Sequence, residues 1–169
     1  HDFNQGLPDG AFEVVIANQS LHHVVELEGL FDSVAERIGE TGCFLISDTI
    51  GRNGHQRWPE ARDLVDQAWH WMPPGYRYNH RLQRQEDDFL DWDCSQEGFE
   101  GIRAQDILPL LLERLRPSVF LAWGNIIDVF IDRGFGHHFR RQSEWDLHFI
   151  DRVQAMDHAA ITSGQITPT

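Results

Sequence analysis

The sequence predicts an α/β domain built on part of a doubly wound, Rossmann-like sheet. Three apolar runs rich in β-branched residues, near 12–17, 43–48 and 118–123, are typical of parallel strands buried on both faces. Between the first two runs, apolar residues recur at helical spacing, and strand, helix and strand of this length make a right-handed βαβ unit. A chain of 169 residues fits one domain with a sizeable core.

The strand at 12–17 is the first element of this unit. The turn Leu7-Pro8-Asp9-Gly10 precedes it, since proline presets φ and glycine tolerates positive φ. Polar residues follow it at once: Asn18, Gln19, Ser20, His22 and His23. In open α/β sheets ligands bind beyond the carboxyl ends of the strands. We therefore expect the functional site here.

The next helix and strand lead back to the same edge of the sheet. Apolar residues between Leu27 and Ile38 predict a helix that packs on the sheet, and Gly39 ends it. The strand at 43–48 then finishes at Asp48. Because parallel strands share one carboxyl edge, we expect Asp48 to lie near Asn18.

The rest of the chain contains further predicted helices and one more strand. Helical spacing is present from Ala61 to Met72 and from Ala104 to Leu115, and a hydroxyl cap at Ser143 begins a last helix. Residues 126–131 fit a short helix or an antiparallel strand. We expect one domain over 1–169, with its core at 1–57 and 101–169 and a possible substrate lid at 58–100.

Composition excludes several classes of partner. A net charge of -13 with only 14 dispersed basic residues argues against nucleic acid, because phosphate binding needs clustered Lys and Arg. No apolar stretch is long enough to suggest a membrane span, and no signal-peptide pattern is present. Cys43 and Cys94 form no disulfide or metal pattern, which favours a reducing cytoplasm.

Residues 2 to about 60 resemble the middle of a class I S-adenosylmethionine-dependent methyltransferase. The turn at 7–10, the run at 12–23 and the strand at 42–48 carry the resemblance, and they correspond to the family's fourth and fifth strands. The resemblance implies methyl transfer from S-adenosylmethionine to a small molecule. The family's Gly-rich cofactor turn is absent, since no G-x-G-x-x-G follows a strand. We expect a carboxyl-terminal part of a longer protein, supplying the substrate half and part of the cofactor site.

The resemblance also assigns roles to residues. It implies cofactor contacts from Asp2, Phe3, Asn18, Gln19 and Ser20, and it places Asp48, Arg52, Trp58 and Tyr76 toward the substrate. His23 is the candidate general base, because imidazole titrates near neutral pH, although a capping role is the alternative. We expect no metal site. Adjacent histidines such as His22 and His23 do not share a face of a regular helix or strand, so only one should face the pocket.

Two alternatives stay open. The chain could be a non-catalytic binding or dimerisation module that does not bind the cofactor by itself. A nucleotide-dependent oxidoreductase is disfavoured, because it would need the same missing Gly-rich turn. In the family the first strand pairs with the strand that corresponds to 12–17, so this strand should present a bare edge. We expect a homodimer that covers it, or a rearrangement of residues 1–17.

Overall fold

The computed structural model describes residues 1–167, and these fold into a mixed α/β structure. Helix accounts for 47% of the chain and strand for only 8%, so helices form most of the packing surfaces. The strands are β1 (Val14–Asn18), β2 (Cys43–Ser47), β3 (Tyr78–Asn79) and β4 (Arg84–Gln85). The helices are α1 (Leu27–Ile38), α2 (Pro59–Trp71), α3 (Ala104–Arg114), α4 (Ile127–Ile131) and α5 (Glu144–Thr162). Short 3-10 turns include Phe3–Gln5, Leu21–His23, Asn53–His55 and Cys94–Glu97.

The chain divides into two compact units, whereas the sequence predicts one domain. The first unit comprises His1–Gln56 and Trp92–Phe120, and the second comprises Arg57–Asp91 and Leu121–Thr169. Each unit has its own hydrophobic core. The predicted core at 1–57 and 101–169 and the possible lid at 58–100 do not coincide with these two units. Residues 57–91 help to build the second unit, and 92–100 belong to the first.

The first unit contains the predicted βαβ element. β1 and β2 pair in parallel, with Val14 opposite Cys43 and Asn18 opposite Ser47, and α1 connects them. The helix buries Leu27, Phe31 and Val34 against the sheet and α3. This apolar stripe explains the helix, because its three to four residue spacing gives α1 one face for the core. The two predicted parallel neighbours and the intervening helix are confirmed.

Two expectations about the sheet are wrong. β1 is buried on one face only, since Val14 is 48% exposed and Ile16 is 70% exposed. The helices of this unit cover one side of the sheet, so alternate residues remain in solvent. The run at 118–123 forms no strand, because no described segment offers it hydrogen-bond partners, and Val119 is 73% exposed. A doubly wound sheet is thus not present in residues 1–167, whose parallel sheet has two strands.

The second unit is an aromatic helical assembly. Trp69 of α2, Phe130 of α4 and Phe149 of α5 are buried in its core, where the Phe130 ring is tilted against Trp69 and edge-on to Phe149. β3 and β4 form an antiparallel hairpin with two residues in each strand. Residues 127–131 are helical, so the short-helix alternative is confirmed. The predicted Ser143 cap is also present, since the Asp146 amide donates to Ser143 Oγ over 3.3 Å.

No helix within residues 1–167 combines the length and the apolar character that crossing a bilayer requires.

Candidate functional site

The carboxyl ends of β1 and β2 lie side by side in the first unit, as the parallel pairing requires. Asn18 is opposite Ser47, and the chain turns sharply after Asn18 because Gln19 adopts a positive φ of 49°. The Gln19 amide donates to the Ser47 carbonyl over 2.8 Å, which continues the ladder by one bond. Asp48 follows directly, so its side chain lies at the turn that leaves β1.

Asp48 is the buried anchor of this edge. Its side chain is fully buried, and its Oδ2 accepts hydrogen bonds from the amides of Ser20 and Leu21, both at 2.8 Å. Its Oδ1 accepts from the Thr49 amide and from His22 Nδ1, which is 2.5 Å away. Three amides and one imidazole therefore converge on a single carboxylate. This bonding sets the path of the chain into the 3-10 turn Leu21–His23.

Three histidines and one glutamate lie near this buried anchor, and His22 contacts it directly. His22 Nδ1–H donates to Asp48, which leaves Nε2 facing Glu100 Oε2 at 3.7 Å. His55 Nε2 lies 3.3 Å from the same Glu100 oxygen. The rings of His22 and His23 are 4.1 Å apart, and one ligand atom from each of His22, His23 and Glu100 lies within 4.8 Å of the other two. We name His22, His23, His55 and Glu100 the histidine cluster.

A close approach of two glycines positions His55 and Glu100. The Gly54 amide donates to the Gly101 carbonyl over 2.8 Å. Both glycines have positive φ, and a Cβ at Gly101 would lie 3.0 Å from the amide nitrogens of Gly54 and His55. A Cβ at Gly54 would be closer still to the Asp93 carboxylate. Glycine suits both positions, because a positive φ strains a residue with a Cβ and the facing loop leaves little room for one.

The electrostatics of the site favour ionised carboxylates. Burial raises the pKa of Asp48, but hydrogen bonds from His22 and from the amides of Ser20 and Leu21 outweigh burial and hold that pKa below its ordinary value. Partial burial likewise raises the pKa of Glu100, and the hydrogen bond from His55 with the nearby histidines lowers it by more. The site therefore pairs two negative side chains with three imidazoles.

The predicted cofactor residues lie in the first unit but differ in availability. Asp2 caps the turn Phe3–Gln5, since its Oδ1 accepts from the Asn4 amide at 3.0 Å, while Phe3 is half exposed. Asn18 is exposed at the end of β1. The amides of Gln19 and Ser20 already donate to Ser47 and Asp48. Contacts of these two residues with a cofactor would therefore come from their side chains.

The predicted substrate residues are divided between the two units. Asp48 and Arg52 belong to the first unit, with Arg52 directly before the turn Asn53–His55. Trp58 and Tyr76 belong to the second, where the Tyr76 hydroxyl donates to the buried Asp146 over 2.8 Å. His23, the predicted base, is exposed, and its Nδ1–H donates to the Phe99 carbonyl over 3.0 Å.

The expectation that only one of the two adjacent histidines faces the site is wrong. They lie in a one-turn 3-10 helix, so their rings approach each other and both reach Glu100. Sequence reasoning also missed His55 and Glu100, which come from distant loops. A signal was present, because each is a titratable residue next to glycine in a loop: Gly54-His55 and Glu100-Gly101.

Comparisons with protein-family models, with curated proteins and with solved structures each found no match for this chain.

Proposed function

We propose that this chain takes part in methyl transfer from S-adenosylmethionine to a small-molecule acceptor, contributing the substrate side and part of the cofactor site. One observation carries the proposal: β1 ends at Asn18 and the neighbouring parallel strand β2 is followed directly by Asp48, so both lie at a common edge beside the histidine cluster. Ligands of open α/β sheets bind at such an edge. The sequence resemblance over residues 2–60 supports the choice of cofactor.

The proposed reaction requires few chemical groups from the protein. A sulfonium methyl donor supplies its own electrophile, so the protein aligns donor and acceptor and takes up one proton. His23 is the proposed base, because its Nδ1–H is held by the Phe99 carbonyl and its Nε2 can accept a proton. Asp48 fixes His22 in the same way and acts as a positioning residue. The exposed Asn18 side chain is a proposed contact for the cofactor.

Calorimetric titration with S-adenosylmethionine and with its demethylated product tests the cofactor proposal. We expect saturable binding to the wild-type chain and weaker binding to Asn18→Ala. Gln154→Ala, an exposed substitution on α5, is the matched control and should bind like wild type. NADH should give no heat. If neither S-adenosylmethionine nor its demethylated product binds, cofactor binding by this chain is refuted, and the non-catalytic alternative gains support.

The second candidate function is a dimerisation module, and the exposed face of the sheet favours it. Val14, Ile16 and Leu45 are 48%, 70% and 53% exposed, and β1 pairs only with β2 among residues 1–167. A second copy could continue the sheet along the bare edge of β1, since bare strand edges recruit further strands. Light scattering tests this point. We expect a dimer that Ile16→Lys converts to a monomer, and a monomeric wild-type chain would refute it.

A further inference from the structure

We propose that His22, His23 and Glu100 bind a divalent transition-metal ion, with Zn²⁺ the ion that this donor set suits best. The site goes beyond the proposed methyl transfer and does not depend on it. Two imidazoles and one carboxylate with an open fourth position form a known class of zinc site. Imidazole also accepts Cu²⁺, Ni²⁺ and Fe²⁺, whereas Mg²⁺ and Ca²⁺ prefer oxygen ligands alone.

The spacing of the donor atoms is close to what such an ion needs. One donor atom from each of the three residues lies within 4.8 Å of the other two, and the His22–Glu100 pair is already at 3.7 Å. Bonds of about 2.0–2.2 Å in a tetrahedral site separate the ligand atoms by roughly 3.4 Å. The widest of these separations must therefore shorten by at most about 1.4 Å. Glu100 can move toward the two histidines, because its side chain is 56% exposed.

The groups behind the ligands support this assignment independently. Metal-bound histidines characteristically donate their second ring N–H to a carboxylate or a carbonyl, which fixes the tautomer. His22 donates Nδ1–H to the fully buried Asp48, and His23 donates Nδ1–H to the Phe99 carbonyl. Both Nε2 atoms are thereby left as acceptors for an ion. His55 holds the Glu100 oxygen at 3.3 Å and orients it toward the cluster.

A bound ion would change the chemistry available at this edge. Its open position could hold water or an oxygen of the small-molecule acceptor, and the positive charge would lower the pKa of either. In that state His23 is a ligand and no longer the base proposed above. The two roles are separable, because ion binding is measured without any methyl donor.

The test is a competition titration of the tag-free chain, in which a chromophoric chelator reports free Zn²⁺, and Co²⁺ absorption then reports coordination number. We expect one ion per chain with the visible spectrum of four- or five-coordinate Co²⁺. Glu100→Ala and His23→Ala each alter an exposed side chain, so both variants should fold and lose tight binding. Asp48→Asn should weaken binding by roughly 10–100-fold, the range for a lost outer-shell partner.

A second group of histidines in the same chain provides the matched control. His80 lies in the second unit with its ring 5.1 Å from that of His137 and 4.7 Å from that of His138. His80→Ala should leave Zn²⁺ affinity unchanged. The proposal is overturned if wild type binds neither ion, if Glu100→Ala and His23→Ala bind as tightly as wild type, or if binding is lost in His80→Ala. Circular dichroism of each variant confirms that its fold is retained.

Discussion

Asp48 in the first unit and Asp146 in the second are both fully buried carboxylates, yet their surroundings differ in kind. Asp146 accepts from the Arg140 amide at 2.7 Å and from the Tyr76 hydroxyl at 2.8 Å. The Tyr76 ring packs edge-on against Trp145, 5.2 Å away, in an aromatic cluster. Asp48 binds three amides and an imidazole instead. Asp48 binds an amide of the turn Leu21–His23, which precedes α1, and Asp146 lies in the first turn of α5.

The two carboxylates differ in the further contacts of their side-chain partners, which are Tyr76 for Asp146 and His22 for Asp48. The Tyr76 ring packs among other aromatic rings. We therefore interpret the hydrogen bonds of Asp146 as stabilising α5 and the turn before it. His22 has a second nitrogen that faces Glu100 at 3.7 Å, and Glu100 reaches solvent. Hydrogen bonds outweigh burial at both carboxylates, and both pKa values are lowered. A lowered pKa therefore does not by itself mark a functional site.

The largest expected effect comes from removing either carboxylate. Asp48→Ala leaves several donors unsatisfied at once, so we expect a loss of about 3 kcal/mol or more in the free energy of unfolding. Asp146→Ala should cost a similar amount. Urea denaturation followed by circular dichroism measures both. Only Asp48→Ala should also remove the proton NMR signal of the hydrogen-bonded His22 Nδ1–H. Equal loss of that signal in Asp146→Ala would contradict the comparison.

A smaller effect is expected from crowding the glycine crossing that holds the histidine cluster. Gly54 and Gly164 have similar φ values of 69° and 71°, but a Cβ at Gly54 would meet Asp93 and the Cys94 amide, while one at Gly164 would meet nothing within 4 Å. Gly164→Ala should therefore cost only the left-handed backbone penalty, about 1 kcal/mol. Gly54→Ala should cost about 1–3 kcal/mol more through overpacking.

Urea denaturation of the two glycine variants measures this difference directly. Gly164→Ala is the matched control, because it carries the same backbone strain without the crowding. Equal costs for the two variants would show that the loop around Gly54 yields to a methyl group. That outcome would also weaken the argument that glycine there positions His55.

The smallest expected effect is the acid dependence of stability. The folded-state pKa values of Asp48 and Asp146 lie below the ordinary value of 3.8, so both groups stabilise the fold once they are ionised. This stabilisation is complete at a pH well above 3.8 and is lost as pH falls through the depressed values. Urea midpoints measured between pH 6 and pH 2 report this loss of stability. These limits lie roughly two units above and below the ordinary carboxylate pKa. Asp48→Asn should flatten the decline, and an unchanged slope would contradict it.

Local patterns in the sequence were sufficient for part of this fold. The spacing of Leu27, Phe31 and Val34 predicts α1, and the apolar runs on either side predict β1 and β2 with their common polar edge. The same reasoning fails for 118–123, because an apolar run becomes a strand only where another strand offers its backbone. Hydrophobic periodicity indicates which side chains of a segment can be buried, but it does not indicate which other segment packs or pairs with it.

The amino-acid sequence by itself determined the βαβ element, its helix and the polar residues that end its strands, since these depend on contacts between near neighbours in the chain. Only the tertiary structure decided which of those residues meet. Glu100 reaches His22 and His23 across more than seventy intervening residues, through the crossing of Gly54 and Gly101. The physical reason is that hydrogen bonds and packing between distant segments leave no periodic trace in the sequence, whereas helices and strands do.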